Sequence, residues 1–194
     1  CIRDRVTASG RRSYTAAQME AMRHFLEHSG RAGTHYVPHR RNGEKLQVIA
    51  VVNFKGGSGK TTSAAHLAQY LALSGHRVLA VDLDPQASLS AIHGLQPEFD
   101  VHENETLYGA IRYDEQQRPL SEIIRKTNFP NLDLVPGNLE LMEFEHDTPR
   151  ILAQGKGKDY GRIFFARLDE ALSSVADDYD VVIIDCPPQL GFLT

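Results

Sequence analysis

The stretch Val51–Thr62, VVNFKGGSGKTT, crowds three glycines, two lysines and two adjacent threonines into its last eight residues. Glycines let bare backbone approach an anion and adopt dihedrals that other residues avoid. An amide-rich loop that opens a helix cradles phosphate, a lysine at its end neutralises the β/γ-phosphates, and the next hydroxyl reaches Mg2+. On this chemistry Gly56, Gly57, Ser58, Gly59, Lys60, Thr61 and Thr62 bind a nucleotide, and Thr61 is a metal ligand. A tight strand–helix turn with incidental lysines is the competing reading, and so dense a set of these residue types disfavours it. One rule is broken. The usual pattern G-x-x-x-x-G-K-[ST] calls for glycine at position 54. Phe54 stands there instead, followed by a second lysine, Lys55.

Two carboxylate-bearing segments offer the complementary chemistry. VVIIDCPP ends an apolar run at Asp185, where a carboxylate can hold Mg2+, usually through water. AVDLDPQ ends another at Asp82, with Asp84 two residues on. An aspartate at a strand end is more often a turn residue or a helix cap. Ligands of open α/β sheets gather at the carboxyl ends of the strands, however, so both clusters should converge on the glycine-rich loop.

The elements that must position these groups are legible as alternating strands and helices. LQVIAVVNF (46–54) is a near-continuous apolar run, expected to be a fully buried parallel strand. SAAHLAQYLALSG (63–75) reads as a helix stopped by Gly75, and RVLAVDLD (77–84) as a second strand. Short helices are expected in ETLYGAIRY and PLSEIIRKT, a third strand in LDLVPGN (132–138), and helices over 139–146 and 162–176. YDVVIIDCPP (179–188) supplies a fourth strand. The alternation predicts an α/β fold whose mostly parallel sheet is covered by helices on both faces. QGKGKDYG (154–161) follows no strand and is expected to be a mobile loop rather than a second phosphate site.

The N-terminal part differs. TAAQMEAMRHFLEH (15–28) reads as an amphipathic helix with Met19, Met22, Phe25 and Leu26 on one side. Thr15 and Gln18 have the spacing of a capping box. GRAGTHYVPHRRNG (30–43) reads as a linker, so the expected domains are 1–43 and 44–194. Residues 1–45 hold nine Lys/Arg against four Asp/Glu, and the remainder twelve against twenty-one. That asymmetry fits a nucleic-acid-facing arm on an acidic body, and equally a solvated basic tail. The 194 residues include two cysteines, too few for a disulfide framework, and no apolar run of membrane-spanning length. A cytoplasmic location is therefore expected. The start at Cys1 and the end soon after an apolar strand read as a fragment cut at both ends.

KGGSGKTT, VDLDPQAS and IIDCPPQLGFLT, in this order, resemble the deviant Walker A ATPases of the ParA/MinD group. Residues 46–94, with NETLYGAIRYDE and NLDLVPGNLELMEFEH, are closer still to the partitioning ATPases of repABC-type plasmids. The resemblance covers most of residues 44–194 and implies a P-loop NTPase fold, truncated at its C-terminus. Residues 1–43 are similar only loosely to the end of a helical DNA-binding extension. The family implies ATP and Mg2+ as cofactors and an ATP-driven homodimer that binds DNA non-specifically. It implies hydrolysis stimulated by a centromere-bound ParB-type (RepB) partner, operon autorepression through the extension, nucleoid association and no membrane role. It also answers the broken rule: Lys55 corresponds to the signature lysine that reaches the partner subunit's phosphates. Lys55, Lys60 and Asp84 are then catalytic, Asp84 orienting the attacking water. Thr61 and Asp185 hold the metal, and Asp82 has a supporting role. Cys186 stands where threonine is frequent and is expected to pack as a small apolar residue. Adenine contacts and the C-terminal DNA surface should lie beyond Thr194. A metabolic enzyme on the same fold, of the cobyrinate amide synthase or dethiobiotin synthetase type, is the alternative. A nitrogenase-type iron–sulfur ATPase is disfavoured, since Cys186 is the single cysteine of the body.

Overall fold

The structure is a computed structural model that describes residues 5–6, 10–30, 33–41, 43–154, 160–189 and 191. Its centre is a five-stranded sheet of β3 (Gln47–Val51), β4 (Val78–Asp82), β5 (Arg125–Lys126), β6 (Leu132–Val135) and β7 (Val181–Asp185). The spatial order is β3-β7-β4-β6-β5. All pairings are parallel except β5 with β6. A separate two-stranded ribbon joins β1 (Arg5–Val6) to β2 (Arg12–Ser13). The helices are α1 (Ala16–Ser29), α2 (Lys60–Leu73), α3 (Ser88–Ile92), α4 (Pro97–Asp100), α5 (Leu107–Ile111), α6 (Leu120–Ile123), α7 (Leu141–Gln154) and α8 (Tyr160–Ser173). Among the described residues, no helix is long and apolar enough to cross a membrane.

Period-two alternation sorts the strand side chains onto two cores. Val78, Ala80, Val181 and Ile183 pack on the side of α2. Leu79, Val81, Val182 and Ile184 pack with Leu107, Ile123, Leu141, Phe144 and Leu172 on the opposite side. The sheet is thus covered on both faces, as expected. Ala64, Ala65, Ala68 and Ala72 are all buried on one face of α2. Their small side chains let that helix approach the sheet closely, which fixes where its N-terminus points.

Three expectations are corrected. β3 is not buried: it pairs only with β7, and Val48 and Ile49 on its two faces are 48% and 40% exposed. A Val/Ile-rich run satisfies an edge strand as well as a central one, so composition does not distinguish them. The end of the expected PLSEIIRKT helix is instead the antiparallel strand β5. Finally, α1 has its capping box, with Thr15 Oγ1 accepting from the Gln18 amide, but no residue of it is buried and Phe25 is 68% exposed. The QGKGKDYG segment falls largely outside the described residues.

The expected linker is a strap. The Arg40 amide donates to Asp180 Oδ1 at 2.8 Å, its Nε to the Tyr179 carbonyl at 2.9 Å, and its guanidinium to the Ala176 carbonyl. Asp180, its side chain 2% exposed, also pairs with the Arg77 guanidinium at 2.8 Å and accepts the Arg77 amide at 2.7 Å. Burial alone would raise the Asp180 pKa. The hydrogen bonds from Arg77 and Arg40 outweigh it and hold the carboxyl below its ordinary value. Since the folded pKa is depressed, this stabilisation is complete above about pH 3.9, the unfolded value, and is lost as pH falls through the lowered one. Asp180→Ala strands a partly buried guanidinium and is expected to cost about 3 kcal/mol. Urea melts at pH 7 check this: an unchanged midpoint would show that the strap contributes nothing to stability.

Candidate functional site: a phosphate loop between two carboxylate-bearing strands

β3 delivers the chain to the carboxyl end of the sheet, and α2 leaves from it at Lys60. Between them Gly57 and Gly59 take φ of +69° and +84°, where an L side chain is strained. Gly59 is the N-cap of α2 and makes no side-chain cap bond, and the first turn carries no acidic residue. The first-turn amides are thus directed outward with the positive end of the helix dipole, the arrangement that attracts an anion. A Cβ built on Gly56, Gly57 or Gly59 would meet nothing within 4 Å, so the loop faces open space. Lys60 is turned inward and only 9% exposed. Lys55 is exposed, its amide tied to Asn53 Oδ1 at 2.9 Å.

The register of the strands brings the carboxylates to this loop. Asp185 is the Cα partner of both Val51 on β3 and Asp82 on β4. Asp185 is fully buried, and neither carboxylate oxygen has a hydrogen-bond partner. Burial pushes its pKa up and so does the charge of Asp84. The Thr61 hydroxyl and the Lys60 ammonium, close by but outside hydrogen-bonding geometry, pull it down. A buried carboxylate with both oxygens unmatched, beside a hydroxyl, fits a hard divalent cation. Mg2+ in particular is held through one or two protein oxygens while keeping several waters. No cluster of three His, Cys, Asp or Glu suited to a metal occurs among the described residues, so a multi-carboxylate cage does not fit.

Asp82 and Asp84, two residues apart, do different things. Asp82 is fully buried, and burial pushes its pKa up to about 7 against the opposing hydrogen bonds. Its Oδ2 accepts from the Ser90 amide at 2.8 Å and the Ser90 hydroxyl at 2.7 Å, and its Oδ1 from the Asp84 amide at 3.3 Å. Ser90 Oγ in turn accepts the Gly137 amide at 2.9 Å. A Cβ on Gly137 would lie 3.0 Å from the Asp82 carboxyl carbon and from two carbonyl oxygens, so a side chain there would press on Asp82 and on the backbone of the turn. Asp82 therefore knots β4, α3 and the β6–α7 loop together. Asp84 is only partly buried, and its Oδ1 accepts the Gln86 amide at 2.9 Å.

The structure thus brings Lys60, Thr61, Asp84 and Asp185 together, and leaves Lys55, Ser58 and Thr62 exposed on the outer side of the loop. Cys186 is buried in the core, and burial followed by the Asp185 charge pushes its thiol up to about 11. Ser90 and Gly137 were not foreseeable. Each earns its place through a partner eight or more residues away, and nothing local in the sequence marks it.

An open phosphate loop between parallel strands, with two strand-end carboxylates, defines a P-loop NTPase fold. A family profile described as an AAA domain matches residues 46–194, and the chain belongs to that family. A protein of Sinorhizobium fredii carrying the provisional name replication protein A is 65% identical over 189 residues, covering 97% of this chain and 46% of its own. The chromosome partitioning protein ParA of Myxococcus xanthus is 36% identical over 148 residues, covering 76% of this chain and 47% of its own. Among solved structures, cobyrinic acid a,c-diamide synthase from Mycobacterium smegmatis with bound ATP analogue and magnesium is 36% identical, with a TM-score of 0.60 over 76% of this chain and 54% of that one. The chain spans about half the length of the curated relatives it matches. The likeness to the ParA group read from the motifs is borne out.

Proposed function

We propose that this chain is the N-terminal part of a plasmid-partitioning ATPase. In this reading residues 44–194 begin the ATPase domain and residues 1–43 end a DNA-binding extension. The observation that supports it most is the buried, unmatched Asp185 carboxylate beside Thr61 and Lys60, under an uncapped helix N-terminus. ATP is the substrate. The loop amides and Lys60 bind its phosphates, and Thr61 and Asp185 hold Mg2+, which would neutralise charge building on the transferred phosphoryl group. Asp84 orients the attacking water. Whole molecules dimerise on ATP, bind DNA non-specifically in the cytoplasm at the nucleoid, and are stimulated by a ParB-type partner at the centromere. The extension represses the operon.

The 36% identity to an amide synthase favours one second reading, a metabolic ATP-dependent enzyme. The two separate on a single measurement with the full-length protein. A partitioning ATPase hydrolyses ATP faster when duplex DNA and the ParB-type partner are added. A rate indifferent to both, with amide formation on a cobyrinate-type acid, would overturn the proposal.

Lys55 is exposed and Lys60 nearly buried, a difference that supports separate tasks for the two lysines. With Lys55 acting across the dimer, Lys55→Ala leaves monomer nucleotide affinity nearly unchanged and abolishes ATP-dependent dimerisation. Mixing Lys55→Ala with Asp84→Ala subunits restores one site, which has its own Asp84 and receives Lys55 from the other subunit. Hydrolysis by such heterodimers is expected to recover. None, with heterodimers demonstrated by mass, would place Lys55 in its own subunit's site.

A further inference from the structure

The strap meets α1 before it reaches the body. Glu27 Oε2 accepts the Tyr36 amide at 2.6 Å and the Val37 amide at 2.9 Å, and Glu27 Oε1 pairs with His35 Nδ1 at 2.9 Å. Arg23 of α1 donates to the Leu73 carbonyl at 2.8 Å. A Cβ on Gly75 would lie 3.1 Å from both Pro38 and Arg23, so α1 and the strap close together on the end of α2. Next along the strap, the His39 ring meets His24 of α1 edge to face, centroids 5.8 Å apart. Both rings line a cavity of about 250 Å³ together with Glu27, His35, Val37 and Arg41. His39 Nε2 is buried and has no hydrogen-bond partner.

We propose that His39 is a proton-sensitive pin: with a neutral ring the strap holds α1 on the body, and protonation of His39 opens the strap and releases α1. Neutral, the buried nitrogen is a bare lone pair. Protonated, it becomes the N–H of a cation with nothing to accept it. His24 and His35 differ, since each faces a carboxylate, Glu20 at 3.1 Å and Glu27 at 2.9 Å. A proton on either is matched, and on His35 it tightens the strap. Charged groups face His39 from each neighbouring element. Asp180, ahead of β7, and Glu20 on α1 favour the proton, whereas Arg77, ahead of β4, and His24 oppose it. Asp180 is already engaged by Arg77 and the Arg40 amide, and Glu20 by Arg23 at 3.1 Å. Burial is the largest influence and pushes the His39 pKa below its ordinary value. Since the folded pKa is depressed, the latch is complete above about pH 6.5, the unfolded value, and weakens as pH falls from there through the lowered one. Asp180, held below its ordinary value, stays ionised throughout that window. Arg40 is the next residue, so His39 cannot move to water without drawing the Arg40 amide from Asp180.

This inference needs no nucleotide and stands apart from the proposed ATPase. The test is amide hydrogen exchange of the full-length protein across residues 36–40, corrected for the intrinsic dependence of exchange on pH. Protection is expected to be constant above about pH 7 and to fall by about tenfold per unit below about pH 6.5, the effect of one proton taken up on opening. His39→Phe keeps a flat ring that takes no proton, and is expected to stay protected to about pH 5.5. His39→Asn, smaller and neutral, is expected to do the same and covers the case in which a phenyl ring does not fit. Constant protection in wild type overturns the proposal. So does a loss at low pH that persists in both variants, which would assign it to another group. Low protection of both variants at about pH 7.5 overturns it as well, since the imidazole itself and not its charge would then hold the strap.

Discussion

Replacing Lys60 by alanine in the full-length protein is expected to remove ATP binding, measured by calorimetry with Mg2+ present. The ammonium is nearly buried at the first position of α2 and acts on the Asp185 carboxylate. A unit charge about 4 Å from a phosphate oxygen is worth about 4 kcal/mol at the effective dielectric of a protein surface. At about 1.4 kcal/mol per decade, that is roughly a thousandfold in affinity. The helix N-terminus alone contributes only about 0.3–1 kcal/mol and cannot compensate. A folding artefact is separable. Melting midpoints of wild type and Lys60→Ala, measured beside the calorimetry, show whether the variant is folded. Lys60→Arg keeps the charge but not the compact head, and intermediate affinity is expected. Unchanged affinity in Lys60→Ala would defeat the phosphate-loop assignment.

The loop and both acidic strand ends were legible because each depends on short-range rules. Three glycines before a lysine and a threonine specify a strand–helix turn, and an apolar run ending in aspartate specifies where a parallel strand stops. Once the sheet is parallel, Asp82 and Asp185 must come level, and the register places them opposite one another. What stayed illegible was long-range. The Arg40–Asp180 contact joins residues 140 apart, and Ser90 to Gly137 spans 47. The exposure of β3 was hidden for a related reason: apolar strand residues specify pairing and not which neighbours are present. The strap formed by residues 33–41 was masked by composition. Glycine, proline and arginine mark irregular backbone, and irregular backbone pinned by buried hydrogen bonds has the same composition as free linker.

Asp84→Ala is expected to retain ATP binding and dimerisation and to lose turnover by on the order of 10²–10⁴. Ground-state phosphate contacts come from the loop and Lys60, whereas an oriented water matters only as the bond to phosphorus forms, so kcat falls with affinity intact. Metal binding should survive as well. The Asp84 charge raises the pKa of Asp185, and removing it leaves Asp185 easier to ionise. The rival explanation is the turn: Asp84 Oδ1 accepts the Gln86 amide, and alanine forfeits that bond, worth about 1 kcal/mol. Asp84→Asn separates the two. Asparagine keeps an oxygen acceptor for Gln86 and so keeps the turn, but has no charge with which to draw a proton from water. Single-turnover hydrolysis by the asparagine variant is therefore expected to be as slow as that by the alanine variant. Wild-type turnover in Asp84→Asn would make Asp84 a turn residue and move the water-orienting role elsewhere. Asp82 could not take it up without giving up Ser90 and, through Ser90, the Gly137 contact that ties the β6–α7 loop to β4.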